Sequence, residues 1–348
     1  MAITKVKVSN FKSFDELEVE LRPLNIVVGA NASGKSNFVE VFRFLRDLGT
    51  YGLENAVSIQ GGMEYLTNLQ IGRARPLVVE LTYTDDEVPL SVPETYRLAL
   101  SFNSSGLGFE VVEEVLLRGR GDEIIKTSRA KGSHFPEFPF GLAIFDLEPK
   151  LSKKAVPIAG KADLESDGSN LALTLRNLLQ DDEKRSVLVA LVQDLLPFVE
   201  DIRVDRFSDK HLSISLEERY SRGHFLPAAV LSDGTLQLTT LIFALYFDKS
   251  TVTIIEEPDR NVHPHLISRM ADMLEDTSHE KQLILTTHSP ELVKQANLSD
   301  LLLVHRDKQG FSRISRPAES GELKIFLSHD LGIDKLYVQN LLDVGYAV

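Results

Sequence analysis

The sequence predicts an α/β fold, with a mostly parallel core sheet made from both ends of the chain, an antiparallel β-lobe and a helical insertion. Three observations predict it. A short apolar strand, Asn25-Ile-Val-Val28, enters the loop GANASGKS at residues 29–36 and leaves it as a segment with helical apolar spacing, residues 37–48. Two continuous apolar and β-branched runs, Thr251-Val-Thr-Ile-Ile255 and Gln282-Leu-Ile-Leu-Thr286, have the composition of strands buried on both faces of a parallel sheet. Between them, residues 76–125 divide into strand-like runs joined by short polar links, which favours antiparallel pairing over βαβ units.

The first element meets every position of the phosphate-binding pattern G-x-x-x-x-G-K-[ST]. Gly29 and Gly34 let the backbone take conformations that a Cβ would forbid, so that successive N–H groups of Ala30, Asn31, Ala32 and Ser33 can turn inward around a phosphate. Lys35 adds a point charge toward the β- and γ-phosphates, and the Ser36 hydroxyl suits Mg²⁺. The anion would sit at the N-terminus of the helix that Asn37 continues, where unpaired N–H groups and the helix dipole favour negative charge.

Before that loop, residues 3–9 and 16–21 read as strands flanking Asn10-Phe-Lys-Ser-Phe14, with Arg22-Pro23 as punctuation. After it, turns are expected at Gly49-Thr-Tyr-Gly52 and Gly61-Gly62, and then come the β-lobe strands near residues 77–83, 96–102 and 108–112. Residues 126–168 read mostly as loop, with a short strand at Gly141-Leu-Ala-Ile-Phe145. Helical spacing returns over residues 169–196, broken by Asp181-Asp-Glu-Lys-Arg185 and ended by Pro197, and two strands follow near 202–207 and 212–216.

The last third carries the second set of chemical groups. The strand at 251–255 ends in Glu256-Glu257-Pro258, and carboxylates at the carboxyl end of a central strand stand where open α/β sheets bind ligands. One acid suits a Mg²⁺ shell and the other suits orienting or deprotonating an attacking water. The strand at 282–286 ends in Thr287-His288-Ser289-Pro290, which makes His288 a candidate for contact with the γ-phosphate or the water. Ahead of both lies Leu231-Ser-Asp-Gly-Thr-Leu-Gln237, in which Ser232 can cap the following helix and Gly234 keeps its start open.

Composition sets the outer limits. A chain of 348 residues with 43% hydrophobic and 26% charged residues suits a globular protein with a large core. No apolar stretch approaches the roughly 18 residues of a membrane span. The N-terminus has no signal-peptide pattern and the chain has no cysteine, from which a cytoplasmic location without membrane partners is expected. A formal net charge of −13 speaks against coating nucleic acid by the overall field, while leaving a local basic patch open.

The order GANASGKSN, LSDGTLQ, TIIEEPDRNVHP and TTHSP resembles the ATPases of the ABC and SMC-like branch, within it the RecF-like and OLD-like bacterial AAA family ATPases. The resemblance runs from Asn10 to about Val304 and implies a P-loop NTPase of ABC/SMC head type, with ATP and Mg²⁺ as cofactors. It casts residues 29–36 as Walker A, LSDGT as the signature, Glu256 and Glu257 as Walker B, His288 as the switch histidine and residues 259–263 as the D-loop. Glu257 is then the hydrolytic base, Ser36 with Glu256 handles Mg²⁺, and Lys12 matches a basic position near the nucleotide. Two copies would close head to head, so that ATP on one is covered by Leu231, Ser232, Asp233 and Gly234 of the other. The chain departs from the family pattern with Glu256 in place of Asp, Asp233 in place of Gly, and no clear Q-loop glutamine. Gln60 and Gln70 lie too near the loop helix, and the Asp167-Gly-Ser-Asn170 turn is the alternative for that role.

These readings divide the chain into 1–50 and 226–305 as the two parts of an ATPase core, 51–168 as β-lobe and loops, 169–225 as helical insertion and strands, and 306–348 as a tail. The insertion is too short for an SMC arm, and a tail with Asp330 and Asp334 lacks the acids of an OLD-type nuclease. The resemblance therefore implies an ATP-driven switch, a homodimer or higher oligomer, acting on a separate effector protein in phage defence or DNA maintenance. Two alternatives stand beside it. One is a RecF-like DNA-binding repair ATPase using Arg118, Arg120, Lys126, Arg129, Lys131, Lys150, Lys153 and Lys154, and the other is a scaffold that holds nucleotide without turnover.

Overall fold

The computed structural model describes residues 1–84, 92–103, 108–120, 123–128 and 141–319. Its centre is a six-stranded sheet with five parallel strands. They are β3 (Leu24–Val28), β8 (Leu142–Phe145), β13 (Val252–Glu256), β14 (Gln282–Thr287) and β15 (Leu301–Arg306), joined by the antiparallel edge strand β16 (Ser312–Ser315) in the order β16-β15-β3-β14-β13-β8. The N-terminal strand β3 is inserted between β15 and β14, with Leu285 opposite Ile26 on one side and Leu301 opposite Ile26 on the other.

Successive residues of these strands serve opposite faces, as the two-residue period of a strand requires. Leu24, Ile26, Val28, Ile255, Leu283 and Leu285 enter one apolar cluster, while Val27, Ile254, Ile284, Leu302 and Val304 enter the other. The first face is covered by α5 (Leu171–Leu178), α6 (Asp182–Leu195), α7 (Asp233–Tyr246) and α8 (Pro264–Ser278). Every residue of α7 from Thr235 to Leu245 is buried, so this helix is surrounded, with Thr239 and Thr240 bonding their hydroxyls back to helix carbonyls. The second face is covered by α1 (Lys35–Tyr51), with Phe38, Val41, Phe42 and Leu45 on its inner side.

Beyond α1 lies a second, wholly antiparallel sheet in the order β2-β1-β4-β5-β6-β7, formed by β1 (Ala2–Phe11), β2 (Phe14–Glu20), β4 (Leu77–Thr84), β5 (Glu94–Phe102), β6 (Phe109–Arg120) and β7 (Glu123–Ser128). A third sheet joins β10 (Val199–Ser208), β11 (His211–Glu218) and β12 (Phe225–Pro227), with the short β9 (Val156–Pro157) also paired to β11. The remaining helices are short: α2 (Leu53–Ile59), α3 (Met63–Leu66), α4 (Pro149–Ser152) and α9 (Pro290–Gln295).

The expected mixed architecture is present, but strand pairing crosses two of the expected boundaries. Strands β1 and β2 belong to the antiparallel sheet through the pairing of β1 with β4, so the division at residue 50 separates strands that share one ladder. Strand β8, expected as an isolated strand in a loop region, pairs in parallel with β13 and extends the core sheet. Its partner lies about a hundred residues away, and no local pattern announces a parallel neighbour at that separation. The turn expected at residues 49–52 comes later, because α1 continues to Tyr51 and only Gly52 has left-handed φ, at 81°. The expected tail, including Asp330 and Asp334, lies largely outside the described residues.

Several bonds link the two large sheets, and the side chain of Gln282 makes three of them. Gln282 Oε1 accepts from the Ile3 N–H at 2.8 Å, and its Nε2 donates to the Ile3 carbonyl at 2.8 Å and to the Arg22 carbonyl at 3.0 Å. Replacing Gln282 by Leu strands a buried donor and acceptor pair, and urea denaturation should show a loss of about 2 kcal/mol. An unchanged midpoint would mean that this clamp is not what joins the sheets.

Candidate functional site

Parallel pairing of β3, β14 and β13 brings three chain segments to one edge of the core sheet. They are the loop at 29–36, the Thr287-His288 step and the Glu256-Glu257 step. The loop leaves β3 and passes into α1 through Gly34 at φ 119° and Ala32 at φ 61°. A Cβ on Gly34 would collide with the hydroxyl of Ser312, which itself lies 2.8 Å from Ser13 Oγ and donates to the Ser33 carbonyl at 2.5 Å. Strand β16 and the segment between β1 and β2 therefore buttress the loop from behind. Arg306 holds it from the side, its Nε donating to the Ala32 carbonyl at 3.1 Å.

Within the loop, Lys35 is buried and turned onto the loop's own carbonyls, donating to Gly29 at 2.7 Å and to Ala30 at 3.1 Å. Burial pushes its ammonium below the ordinary lysine range, against the pull of the Glu257 charge. The Ser33 hydroxyl is buried without a hydrogen-bond partner. Asn31, Ala32 and Ser36 stand exposed at the mouth of the loop, and Asn37 is half-buried. A cradle that excludes a Cβ, an orphaned buried hydroxyl and an inward-turned amine are the features a phosphate chain would satisfy. The residues present fit the phosphates of a nucleotide.

Glu256 ends β13 with its side chain only 14% exposed, 3.0 Å from Arg43 of α1. Burial raises its carboxyl above the usual range, opposed by Arg43 and by a hydrogen bond from Ser36. Two groups proposed for Mg²⁺, Ser36 and Glu256, are thus adjacent, an oxygen donor set of the kind that ion takes. The cationic side extends outward: Arg43 also meets Glu40 at 2.8 Å, and Glu40 meets Lys12 at 3.3 Å. Lys12 is accordingly connected to the site through two side chains on α1.

Glu257 sits at φ 46°, a conformation that costs a non-glycine residue roughly 1–3 kcal/mol and that persists only where surroundings enforce it. Here its N–H donates to the Thr286 carbonyl at 3.0 Å. The carboxylate is then held at both oxygens, 3.0 Å from His288 Nδ1 and 3.2 Å from Arg260. Burial pushes this carboxyl up, but His288 and Arg260 together outweigh burial and keep it below the ordinary glutamate range. It is therefore ionised at neutral pH and fixed in direction, as a group that orients water must be.

The signature residues occupy a different surface of the sheet edge. Leu231 is buried, and Ser232 caps α7, its Oγ accepting from the Thr235 N–H at 3.1 Å. A Cβ on Gly234 would lie 2.6 Å from the Asn261 carbonyl, and Asn261 is itself held at φ 63°. The start of α7 is thus seated on the D-loop of the same chain. Deeper in, Gln237 Nε2 reaches the Pro258 carbonyl at 3.5 Å. The side-chain bonds of Ser232 and Asp233 run to Thr235 and to Lys153, not to the phosphate loop.

Four contributors carry no sequence signal of their own. Arg43 and Ser312 belong to no sequence motif and meet their partners across long sequence separations, and Arg260 follows Glu256-Glu257 without belonging to that pattern. Asp146, at the carboxyl end of β8 beside β13, lies 3.4 Å from Arg260. The candidates for the missing Q-loop group are engaged elsewhere. Gln70 donates to the Gln309 carbonyl at 3.2 Å, Gln60 is buried, and Asp167 accepts from the Ser169 N–H at 2.9 Å within its own turn. Among the basic residues considered for DNA, Arg118 pairs with Glu94 at 2.6 Å and Lys153 with Asp233, while Lys150 and Lys154 are exposed. Arg129 and Lys131 lie outside the described residues, as do the side chains of Arg120 and Lys126.

Removing Arg43 leaves Glu256 without its cation. Because Arg43 lowers a carboxyl that burial raises, Arg43→Ala lifts the folded-state pKa of Glu256 further above its unfolded value, and the added penalty applies while Glu256 is ionised. Denaturation at pH 8 should show a deficit of about 1–2 kcal/mol that shrinks as pH falls and Glu256 takes up a proton. A deficit that grows toward acid pH would place the effect elsewhere.

The chain is similar to several known proteins. An uncharacterized protein of Methanocaldococcus jannaschii is 27% identical over 150 residues, 39% of each chain. The DNA replication and repair protein RecF of Desulforudis audaxviator is 44% identical over 68 residues, 16% of this chain and 19% of that one. The chain thus spans about two fifths and one fifth of the length of these two relatives. An ATP/GTP phosphatase of Helicobacter pylori is 20% identical over 333 residues, 84% of this chain and 86% of that one. Among solved structures, an Smc head bound to the C-winged helix domain of ScpA superposes with a TM-score of 0.59 at 16% identity, covering 90% of this chain and 97% of that one. The SMC head domain of Thermotoga maritima gives 0.50 at 18% identity, covering 91% and 99%. The fold is that of an SMC head P-loop ATPase domain. The profile of the family described as "AAA domain, putative AbiEii toxin, Type IV TA system" matches residues 24–294, from β3 through α9, and the chain belongs to that AAA family of ABC/SMC-like ATPases.

Proposed function

We propose that this protein is an ATP-binding and ATP-hydrolysing molecular switch that pairs head to head with a second copy around ATP and controls a separate effector protein. The observation that carries the reading is the arrangement at the sheet edge. The phosphate loop, Glu256, Glu257 and His288 converge there, whereas Gly234 packs against the Asn261 carbonyl and Ser232 and Asp233 bond to Thr235 and Lys153, away from that convergence. A half-site built this way is completed by the same surface of a second copy, the isologous contact that two-fold symmetry produces.

In this reading residues 29–36 wrap the phosphates, with Lys35 released from the Gly29 and Ala30 carbonyls to the β- and γ-phosphates. Ser36 and Glu256 hold Mg²⁺, which supplies charge neutralisation on the phosphate oxygens. Glu257 orients the attacking water and accepts its proton, and His288 and Arg260 fix the direction of that carboxylate. Ser232, Asp233 and Gly234 of the second copy cover the γ-phosphate. Lys12 modulates the site through Glu40 and Arg43. Support for turnover comes from the family and from the H. pylori ATP/GTP phosphatase. Support for a separate partner comes from the ScpA domain bound to the Smc head, and a role in phage defence or DNA maintenance is carried by family resemblance alone.

ATP turnover and particle mass in Mg²⁺ and ATP test the reading on the wild type, Lys35→Ala and Glu257→Gln. The wild type hydrolyses ATP, Lys35→Ala is silent, and Glu257→Gln loses turnover by about 10²–10⁴-fold while accumulating as an ATP-bound dimer. Turnover that survives Glu257→Gln removes the assigned base. A Glu257→Gln protein that binds ATP without change of mass supports the nucleotide-holding scaffold instead.

A further inference from the structure

An acid in the signature is a physical problem for a surface that must meet phosphates. Asp233 is the first residue of α7, directly after the capping Ser232, so its carboxylate sits at the positive end of the helix dipole. That position would otherwise favour an incoming anion. On closure of two copies an uncompensated carboxylate there would approach the polyphosphate with its own negative charge.

The structure supplies a countercharge from outside the motif. Lys153 Nζ lies 2.5 Å from Asp233 Oδ1, with the two side chains 25% and 32% exposed, so the pair is formed at the surface and not sealed in the core. Lys153 is aimed there by construction. It terminates α4, its N–H donating to the Pro149 carbonyl at 3.2 Å, and the buried Ser152 before it is anchored by its hydroxyl to the Gly168 carbonyl at 3.0 Å. Helix α4 in turn is capped by Glu148, whose carboxylate accepts from the Lys150 N–H at 3.4 Å. The same segment begins at Asp146, which meets the Arg260 that holds Glu257. One short stretch, residues 146–153, therefore contacts the hydrolytic side at one end and the signature at the other.

The geometry points to Lys153 as a positioning residue that neutralises Asp233 and so lets the signature face accept the ATP held by a second copy. This rests on the head-to-head reading above. Lys153 acts through Asp233. Removing Lys153 alone should expose the carboxylate, and removing both charges should restore a neutral, anion-receptive surface.

The test uses the full chain with Glu257→Gln as parent, and reads the protein concentration at half-assembly in Mg²⁺ and ATP together with ATP affinity under conditions where the protein is monomeric. Adding Lys153→Met should raise the half-assembly concentration about tenfold or more, leave monomer ATP affinity and the melting temperature unchanged, and show a smaller defect at high salt. Lys153→Arg should assemble as the parent does, and the pair Lys153→Met with Asp233→Asn should recover assembly. Unchanged assembly in Lys153→Met overturns the inference, as does a double variant no better than the single one. A parent that fails to dimerise on ATP overturns the head-to-head reading itself, and this inference with it.

Discussion

The insertion of β3 between β15 and β14 is the constraint from which the rest follows. Residues near the N-terminus pair on one side with residues 283–287 and on the other with 301–303, all in parallel. A parallel sheet buries both faces, and here each face has its own apolar cluster. The beginning and the end of the chain must therefore meet before either has a core. Because neighbouring strands run the same way, their carboxyl ends share one edge, and the phosphate loop, His288 and the two glutamates arrive there together. The site is a by-product of strand direction, and the chemistry of each loop is laid over it.

Backbone strain is concentrated where that chemistry sits. Among the described residues, the non-glycine positions with left-handed φ are Asn10, Lys12, Ala32, Glu257 and Asn261, and every one falls in a motif segment. Asn10, Lys12, Ala32 and Glu257 are held by bonds, and Asn261 is packed against the start of α7. The Asn10 amide donates to the Gly72 and Arg75 carbonyls at 3.0 and 2.7 Å, and the Lys12 N–H donates to the Leu66 carbonyl at 2.9 Å. The Ala32 carbonyl takes the Arg306 guanidinium, and the Asn261 carbonyl leaves room only for a glycine at 234. At roughly 1–3 kcal/mol each, such conformations survive because their surroundings determine them more than once. This ties the hydrolytic edge mechanically to the N-terminal sheet and to the start of α7.

What was legible in the sequence was whatever repeats locally. Residues 251–255 and 282–286 are uninterrupted apolar runs, and the loop at 29–36 has fixed spacing, so strands, loop and carboxylates could be placed before any contact was known. The Ser232 cap was legible for the same reason, since its partner is three residues away. Strand β8 could be seen as a strand but not as part of the core, because its partner β13 begins at Val252. Nor could the membership of β1 in the antiparallel sheet be seen, as its register with β4 is set across some seventy residues. Arg43, Asp146 and Ser312 act as single side chains across long sequence separations, and Arg260 joins the local Glu257 to the distant Asp146, so none of them has a period to read.

Two of the departures from the family pattern show how an acidic chain can host a polyanion. Glu256 is longer than the expected Asp, and Asp233 introduces a carboxylate where the pattern has none. Each is met by a basic residue from another element, Arg43 for the first and Lys153 for the second. Glu40 is likewise paired with Lys12 and Arg43, and Glu257 and Asp146 share Arg260. A site that must receive several negative charges cannot carry unbalanced carboxylates within a few ångström, where screening by salt is weakest. With a formal net charge of −13 on the chain, that balance has to be local. It is achieved partly by local pairs, Glu40 with Arg43 and Glu257 with Arg260, and partly by pairs between elements, Glu256 with Arg43, Asp146 with Arg260 and Asp233 with Lys153, and the second kind also holds the elements of the site in register.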